Sequence, residues 1–147
     1  MFLSRDIFSC VVENTPLIAI DLIIKNQHNQ ILLGKRVNEP AYGFWFVPGG
    51  RIYKDESLDT AFARTVNDEL NIEFDRKNAK LQGVYEHFYD NNVFNNDFST
   101  HYVVLAHIIE LNNTPLLNNQ HSDYQWFEIE NLLVREDIHK YTKDYFR

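Results

Sequence analysis

FWFVPGGRIYKDESLDTAFARTVNDELNI, running from Phe44 to Ile72, reads in succession as a strand, a glycine turn, a polar loop and a helix. Its apolar and aromatic start suits a buried strand. Pro48-Gly49-Gly50 is expected to stop that strand and to let the backbone come close to something small. A helix is expected from about Ser57, with Asp55 or Ser57 as its N-cap. On that helix Leu58, Ala61, Phe62, Thr65 and Val66 form one apolar stripe at the helical period, and Glu69 falls on the same stripe. A carboxylate facing a buried side is costly unless it is paired or holds a cation. Glu69 is therefore the first candidate for a functional side chain.

The same residues resemble the signature of the Nudix hydrolase family, G-x5-E-x7-R-E-U-x-E-E-x-G-U, where U is a bulky apolar residue. Gly50, Glu56, Arg64, Val66, Glu69 and Ile72 match it without a gap. Thr65 stands in place of the first Glu of the Arg-Glu pair, Asp68 in place of a second Glu, and Asn71 in place of the Gly. The family implies a mixed β-sheet sandwiched between α-helices, an α/β (α+β) fold, and helix-borne carboxylates that hold divalent cations. It further implies that Glu56 and Arg64 form an ion pair shaping the signature loop.

The chain as a whole agrees with one domain. It has 147 residues, 44% of them hydrophobic and 14% aromatic, which suits a packed core that needs no disulfides. The net charge is −7 and no stripe of Lys or Arg is visible, so a nucleic-acid partner is not expected. Cys10 stands alone and fits a reducing cytoplasm. No apolar run has membrane-spanning length and no signal-peptide pattern opens the chain, so neither a membrane partner nor export is expected.

Further elements follow from pattern. Ser4 to Glu13 reads as a helix capped by Ser4, with Ile7, Phe8, Val11 and Val12 inward, ended by Thr15-Pro16. Leu17 to Lys25 is almost continuously apolar, as a strand covered on both faces would be. Asp21 interrupts it, either as a strand-end carboxylate tied to a backbone donor or as a site residue. A polar turn at Asn26 to Gln30 leads to a second strand, Ile31 to Lys35, suggesting a hairpin. Lys80 to Tyr89, Thr100 to Leu111 and Tyr124 to Ile129 are expected strands. Asp90 to Asp97 and Asn112 to Ser122 are expected loops, and Leu132 to Phe146 one or two helices. Arg36 and Arg51, near the glycine turn, would suit phosphate oxygens, which guanidinium groups contact in bidentate fashion.

A narrower resemblance covers nearly the whole chain. LLGKRVNEPAYGFWFVPGGR, KDESLDTAFAR, EHFYD, THYVVL and QHSDYQW are similar to the GDP-mannose mannosyl hydrolase branch of the Nudix family. That branch implies Mg²⁺-dependent cleavage of the glycosidic C–O bond of a GDP-hexose, GDP-mannose or GDP-glucose, with inversion at the anomeric carbon. The resemblance implies one Mg²⁺, with Mn²⁺ as an alternative ion, held by the Gly49 carbonyl, Glu69 and Gln120. It makes His121 the general base and gives Arg36, Arg51 and Tyr102 the stabilisation of the departing phosphates. Asp21 and His87 would contact sugar or phosphate, and a homodimer is the implied assembly. His101 and His107 read as structural. Two other readings stay open: a Nudix sugar-nucleotide pyrophosphatase releasing GMP and a sugar 1-phosphate, and a non-catalytic sugar-nucleotide sensor.

Overall fold

The computed structural model describes residues 2–112 and 121–147, and at positions 121 and 122 the backbone alone. Helix α1, Arg5–Asn14, begins where Ser4 accepts a hydrogen bond from the Ile7 amide. Val12 is buried, and Phe8 and Val11 pack beside it against Leu17 and Phe94. Ile7, expected inward, is 56% exposed, because this short helix has a partner along one side only.

Strand β1, Leu17–Lys25, pairs in parallel with β6, Thr100–Glu110, from Leu17↔Tyr102 to Lys25↔Glu110. Its other edge is taken by β4, Gly49–Arg51, in antiparallel register at Ala19↔Arg51 and Asp21↔Gly49. The glycine turn expected after Pro48 is thus a short strand. That pairing limits the expected hairpin: β2, Ile31–Arg36, meets β1 only at Lys25↔Ile31. Beyond the turn β2 pairs instead with β3, Trp45–Phe46, and with β7, His121–Phe127. β5, Lys80–Tyr89, pairs antiparallel with β6 and completes a mixed seven-stranded sheet among the described residues.

Both faces of β1 are covered along most of its length, with Ile18 the exposed exception, which explains its apolar run. Ile20, Leu22 and Ile24 pack beneath Ala61, Phe62, Val66 and Leu70 of helix α2, Leu58–Leu70. Ile23 faces the opposite way, toward Leu33, Val47, Phe127 and Leu132. Ser57 is the N-cap of α2 and accepts from the Thr60 amide at 3.1 Å, whereas Asp55 sits in the preceding loop with φ 69°. Asn71 ends the helix in the left-handed region, φ 55°. Asn tolerates that conformation better than other non-glycine residues, so it can stand where the signature has Gly.

β7 begins at His121, earlier than the expected Tyr124, and Ile129 opens helix α3, Ile129–Val134, instead of closing the strand. A short α4, Lys140–Lys143, and a 3₁₀ turn, Asp144–Phe146, lie beyond. The Asn-rich loop after β5 is tied internally by the buried Asn92. Its amide donates to the Asn96 and Phe98 carbonyls, and its oxygen accepts from the Phe94 and Asn96 amides.

Candidate active site

The parallel β1–β6 ladder and the short β4 strand converge on a cavity of about 190 Å³. β1 contributes Asp21, β2 Arg36, and β4 contributes Gly49, Gly50 and Arg51. Glu69 comes from α2, His87 and Tyr89 from β5, and Tyr102 from β6. Residues far apart in sequence therefore share one wall.

Gly49 is what lets β4 lie this close. A Cβ there would stand 2.5 Å from both Asp21 Oδ1 and the Ile20 carbonyl oxygen, far inside contact distance. The Asp21 carboxylate accepts a hydrogen bond from the Tyr145 hydroxyl at 2.5 Å. Burial pushes Asp21 up to about 6, with Tyr145 and Arg36 opposing the rise. The Tyr145 oxygen also lies 3.5 Å from His87 Nε2. His87 stacks on Tyr141 at 4.3 Å and 8°. Burial, with His139 adding to it, lowers His87 to about 4, so its ring is neutral near pH 7.

Glu69 is 2% exposed and is hydrogen-bonded to the Gly49 backbone. Burial pushes its carboxyl up to about 8, and the neighbouring acids Asp68 and Asp21 push the same way. Glu56 is the opposite case. It takes Arg64 Nε at 2.7 Å and Nη2 at 2.8 Å, and the Tyr53 amide at 2.7 Å. Those bonds hold it at about 2. Arg64 also donates to the Arg51 carbonyl at 2.8 Å, tying the signature loop to β4. Asp68 is half exposed and 3.4 Å from Arg64. Thr65 is 2% exposed, with its side chain 3.5 Å from where a Cβ on Gly50 would be.

Both candidate arginines have fixed orientations. Arg36 donates through Nε to the Pro40 carbonyl at 2.8 Å. The Arg51 guanidinium carbon lies 4.8 Å from the ring centroids of both Phe8 and Tyr53, a cation–π arrangement. Tyr102 is half-buried, and desolvation of its phenol raises it. Gln120 lies outside the described residues, as does the His121 side chain; the His121 backbone pairs with Arg36. His101 stacks on Phe88 at 4.4 Å, and His107 packs on Phe62 at 5.2 Å. Tyr89, Tyr141, Tyr145 and His139 escaped the sequence reading. Tyr89 could have been found as the next residue on the His87 face of β5, but nothing local marks Tyr145.

A family model described as NUDIX domain matches residues 15–147. The chain belongs to the NUDIX family. Over 141 residues it is 37% identical to the low-salt glycan biosynthesis protein Agl8 of Haloferax volcanii, covering 95% of this chain and 86% of that protein. It is 29% identical to the ADP-ribose pyrophosphatase of Methanocaldococcus jannaschii over 134 residues, 90% of this chain and 74% of that one. Among solved structures, the MutT protein of Methanosarcina mazei superposes with TM-score 0.72 at 23% identity, over 90% of this chain and 92% of that chain. The NUDIX domain of Shewanella oneidensis NrtR, complexed with ADP-ribose, gives 0.65 at 16%, over 97% and 96%. At such identities the structural likeness establishes the fold.

The chain is thus a Nudix hydrolase, a family whose chemistry generally uses divalent cations. Among the described residues no group of three His, Cys, Asp or Glu forms a ready-made metal cage. The Nudix helix nevertheless offers a buried carboxylate that burial has raised to about 8, and a nearby cation would favour its ionised form. The Gly49 backbone that bonds this carboxylate also carries a carbonyl, so the two would offer an all-oxygen donor set, as a hard cation that keeps several waters requires. The residues present fit such an ion.

Proposed function

We propose that this Nudix hydrolase acts on a GDP-hexose, GDP-mannose or GDP-glucose, cleaving the glycosidic C–O bond to release GDP and free sugar. The observation that carries this reading is Thr65, buried on the Nudix helix where the signature places a carboxylate. Phosphorus cleavage commonly needs several carboxylates to clamp the attacking and leaving oxygens through more than one ion. Loss of one favours attack at carbon, where only the leaving group's charge must be met. Similarity to a protein of glycan biosynthesis supports a sugar nucleotide as substrate.

Mg²⁺, or Mn²⁺ in its place, would be held by Glu69, the Gly49 carbonyl and Gln120 and would neutralise charge on the diphosphate. Arg36 and Arg51, held by Pro40 and by the Phe8 and Tyr53 rings, add fixed positive charge for the departing oxygens. Tyr102, whose phenol keeps its proton, donates a hydrogen bond to the same group. Asp21, His87 and Tyr89 meet the hexose hydroxyls. His121 takes a proton from water as the water oxygen attacks the anomeric carbon. The C–O bond to the β-phosphate breaks through an oxocarbenium-like transition state, and its electron pair leaves with GDP.

A second reading, a sugar-nucleotide pyrophosphatase, is favoured by the retained Glu56–Arg64 pair with Asp68 and Glu69, and by the similarity to an ADP-ribose pyrophosphatase. Hydrolysis in ¹⁸O-water separates the two. Label in the hexose with GDP as co-product is expected; label in phosphate with GMP released would replace this reading by the second. His121→Gln is expected to lower kcat roughly 10²- to 10⁴-fold with little change in substrate affinity, measured by steady-state kinetics. Near-normal turnover would remove His121 from the mechanism. The proposal also carries a homodimer as the working assembly, which sedimentation velocity would weigh directly.

A further inference from the structure

Tyr89 closes one end of the catalytic cavity, and a second hollow of about 360 Å³ begins there. It shares Tyr89 with that cavity and, among the described residues, takes none from β4. Three further rings line it, Tyr42, Phe44 and Phe88, which are 63%, 37% and 57% exposed. Single exposed rings are ordinary on a protein surface, whereas several that converge on one polar-rimmed hollow mark a place for a ligand. The polar rim here is Glu39, Asp90 and Asn91. The walls are held in place by the protein itself. Asn91 Nδ2 donates to Glu39 Oε2 at 2.6 Å, joining the β2–β3 connection to the loop after β5. The Tyr141 hydroxyl donates to the Phe88 carbonyl at 2.8 Å and accepts from the Phe88 amide at 2.9 Å. Phe44 packs edge-on against His139, with ring centroids 5.2 Å apart.

We propose that this hollow is a subsite for a second pyranose, one of whose hydroxyls can take the place of water in attacking the anomeric carbon. The transfer rests on the carbon-attack reading above and adds an activity to it. A pyranose has faces of C–H groups and a rim of hydroxyls, so it needs flat apolar surfaces together with hydrogen-bonding groups. Tyr42, Phe44 and Phe88 offer the first, and Glu39, Asp90 and Asn91 the second. Position supplies the rest. In the carbon-attack reading the diphosphate lies toward Arg51 and Glu69, and the hexose at Asp21, His87 and Tyr89. A sugar beyond Tyr89 therefore meets that hexose from the end away from the leaving group, as an inverting displacement requires. The acceptor oxygen bonds to the anomeric carbon, and its proton passes to His121. The bond to the β-phosphate oxygen breaks, and its electron pair leaves with GDP. Holding acceptor beside donor makes the step effectively intramolecular, so a dilute sugar competes with water.

The test adds methyl glycosides of mannose and of glucose, each in turn, to the protein turning over GDP-hexose in Mg²⁺, with products read by mass spectrometry. With at least one of them a methyl disaccharide is expected beside free hexose, its share rising with acceptor concentration and then saturating. Tyr42→Ala and Phe88→Ala should each lower that share about 2- to 12-fold, the range of a single ring contact. Neither ring lines the catalytic cavity, so free-hexose release without acceptor should stay unchanged in both variants. Tyr42→Phe keeps the ring and should keep the transfer. Free hexose as the sole sugar product with both acceptors, a share that never saturates, or a share unchanged in both ring variants would each overturn the subsite. GDP with free hexose alone ends only the transfer, whereas GMP with hexose 1-phosphate ends the carbon-attack reading and the transfer with it.

Discussion

Glu69 and Glu56 leave the same helix region with opposite electrostatics. Glu56 gains more from Arg64 than it loses by burial and is held at about 2, whereas Glu69 is dominated by burial and rises to about 8. The sign of the stability effect follows from proton counting. A carboxyl whose folded pKa lies above its unfolded one stabilises at low pH, and that contribution fades as pH rises toward the folded value. Asp21 acts the same way between its ordinary 3.8 and about 6. His87 and His139, lowered from 6.5 to about 4, act in reverse and add stability as pH rises across that interval. Above pH 6.5 these groups have completed most of their change, and Glu69 dominates. The melting temperature in EDTA is therefore expected to fall from pH 6.5 to 8, reflecting a loss of about 2 kcal/mol. Glu69→Gln should flatten that decline, and saturating Mg²⁺ should abolish it. A decline identical in Glu69→Gln would show that another group titrates.

At the level of elements, the site depends on segments joined only by the fold. Asp21 on β1 is held by Tyr145, which lies in the terminal 3₁₀ turn and is itself anchored where Gln82 donates to its carbonyl at 2.7 Å. Removing the Tyr145 hydroxyl keeps the ring's packing and takes one donor from a half-buried carboxylate. Tyr145→Phe and Asp21→Asn are accordingly expected to be non-additive in kcat/KM, with a coupling of roughly 1 kcal/mol or more. A double-mutant cycle measures it; additive losses would mean that the two side chains act separately. The limits of the sequence reading lie in the same contacts. α2 was legible because its stripe, its Ser57 cap and Glu69 are local signals. β1 was legible because burial on both faces leaves a continuous apolar run. β4 was read as a turn, since Gly-Gly carries no strand propensity and its pairing with β1 is visible only in three dimensions. Tyr145 was missed because its partner is 124 residues away, and the short terminal helices that position it leave no periodic trace.

Across the whole molecule, the sheet is the organising body. β1 lies at its centre, between β6 on one edge and β4 with β2 on the other, and separate apolar clusters cover its faces. Trp45 belongs to the cluster holding Leu33 and Phe127, while Trp126 packs against the cluster beneath α2. Because β1 contributes to both clusters, neither can melt without the other. Each tryptophan, isolated by replacing the other with Phe, is expected to report the same urea midpoint as far-UV circular dichroism of that variant. Midpoints that separate within one variant would reveal two folding units. Among the described residues no helix is long and apolar enough to cross a membrane.

The three-residue β4 strand acts as a party wall. Gly49 abuts Asp21 on one side and is bonded to Glu69, while Arg51 is clasped by rings on the other. Any side chain added at Gly49 would push the strand outward and deform the cavity that it lines. Preference for a new ligand must therefore arise on the cavity wall away from β4, where His87 and Tyr89 of β5 can vary without disturbing that strand.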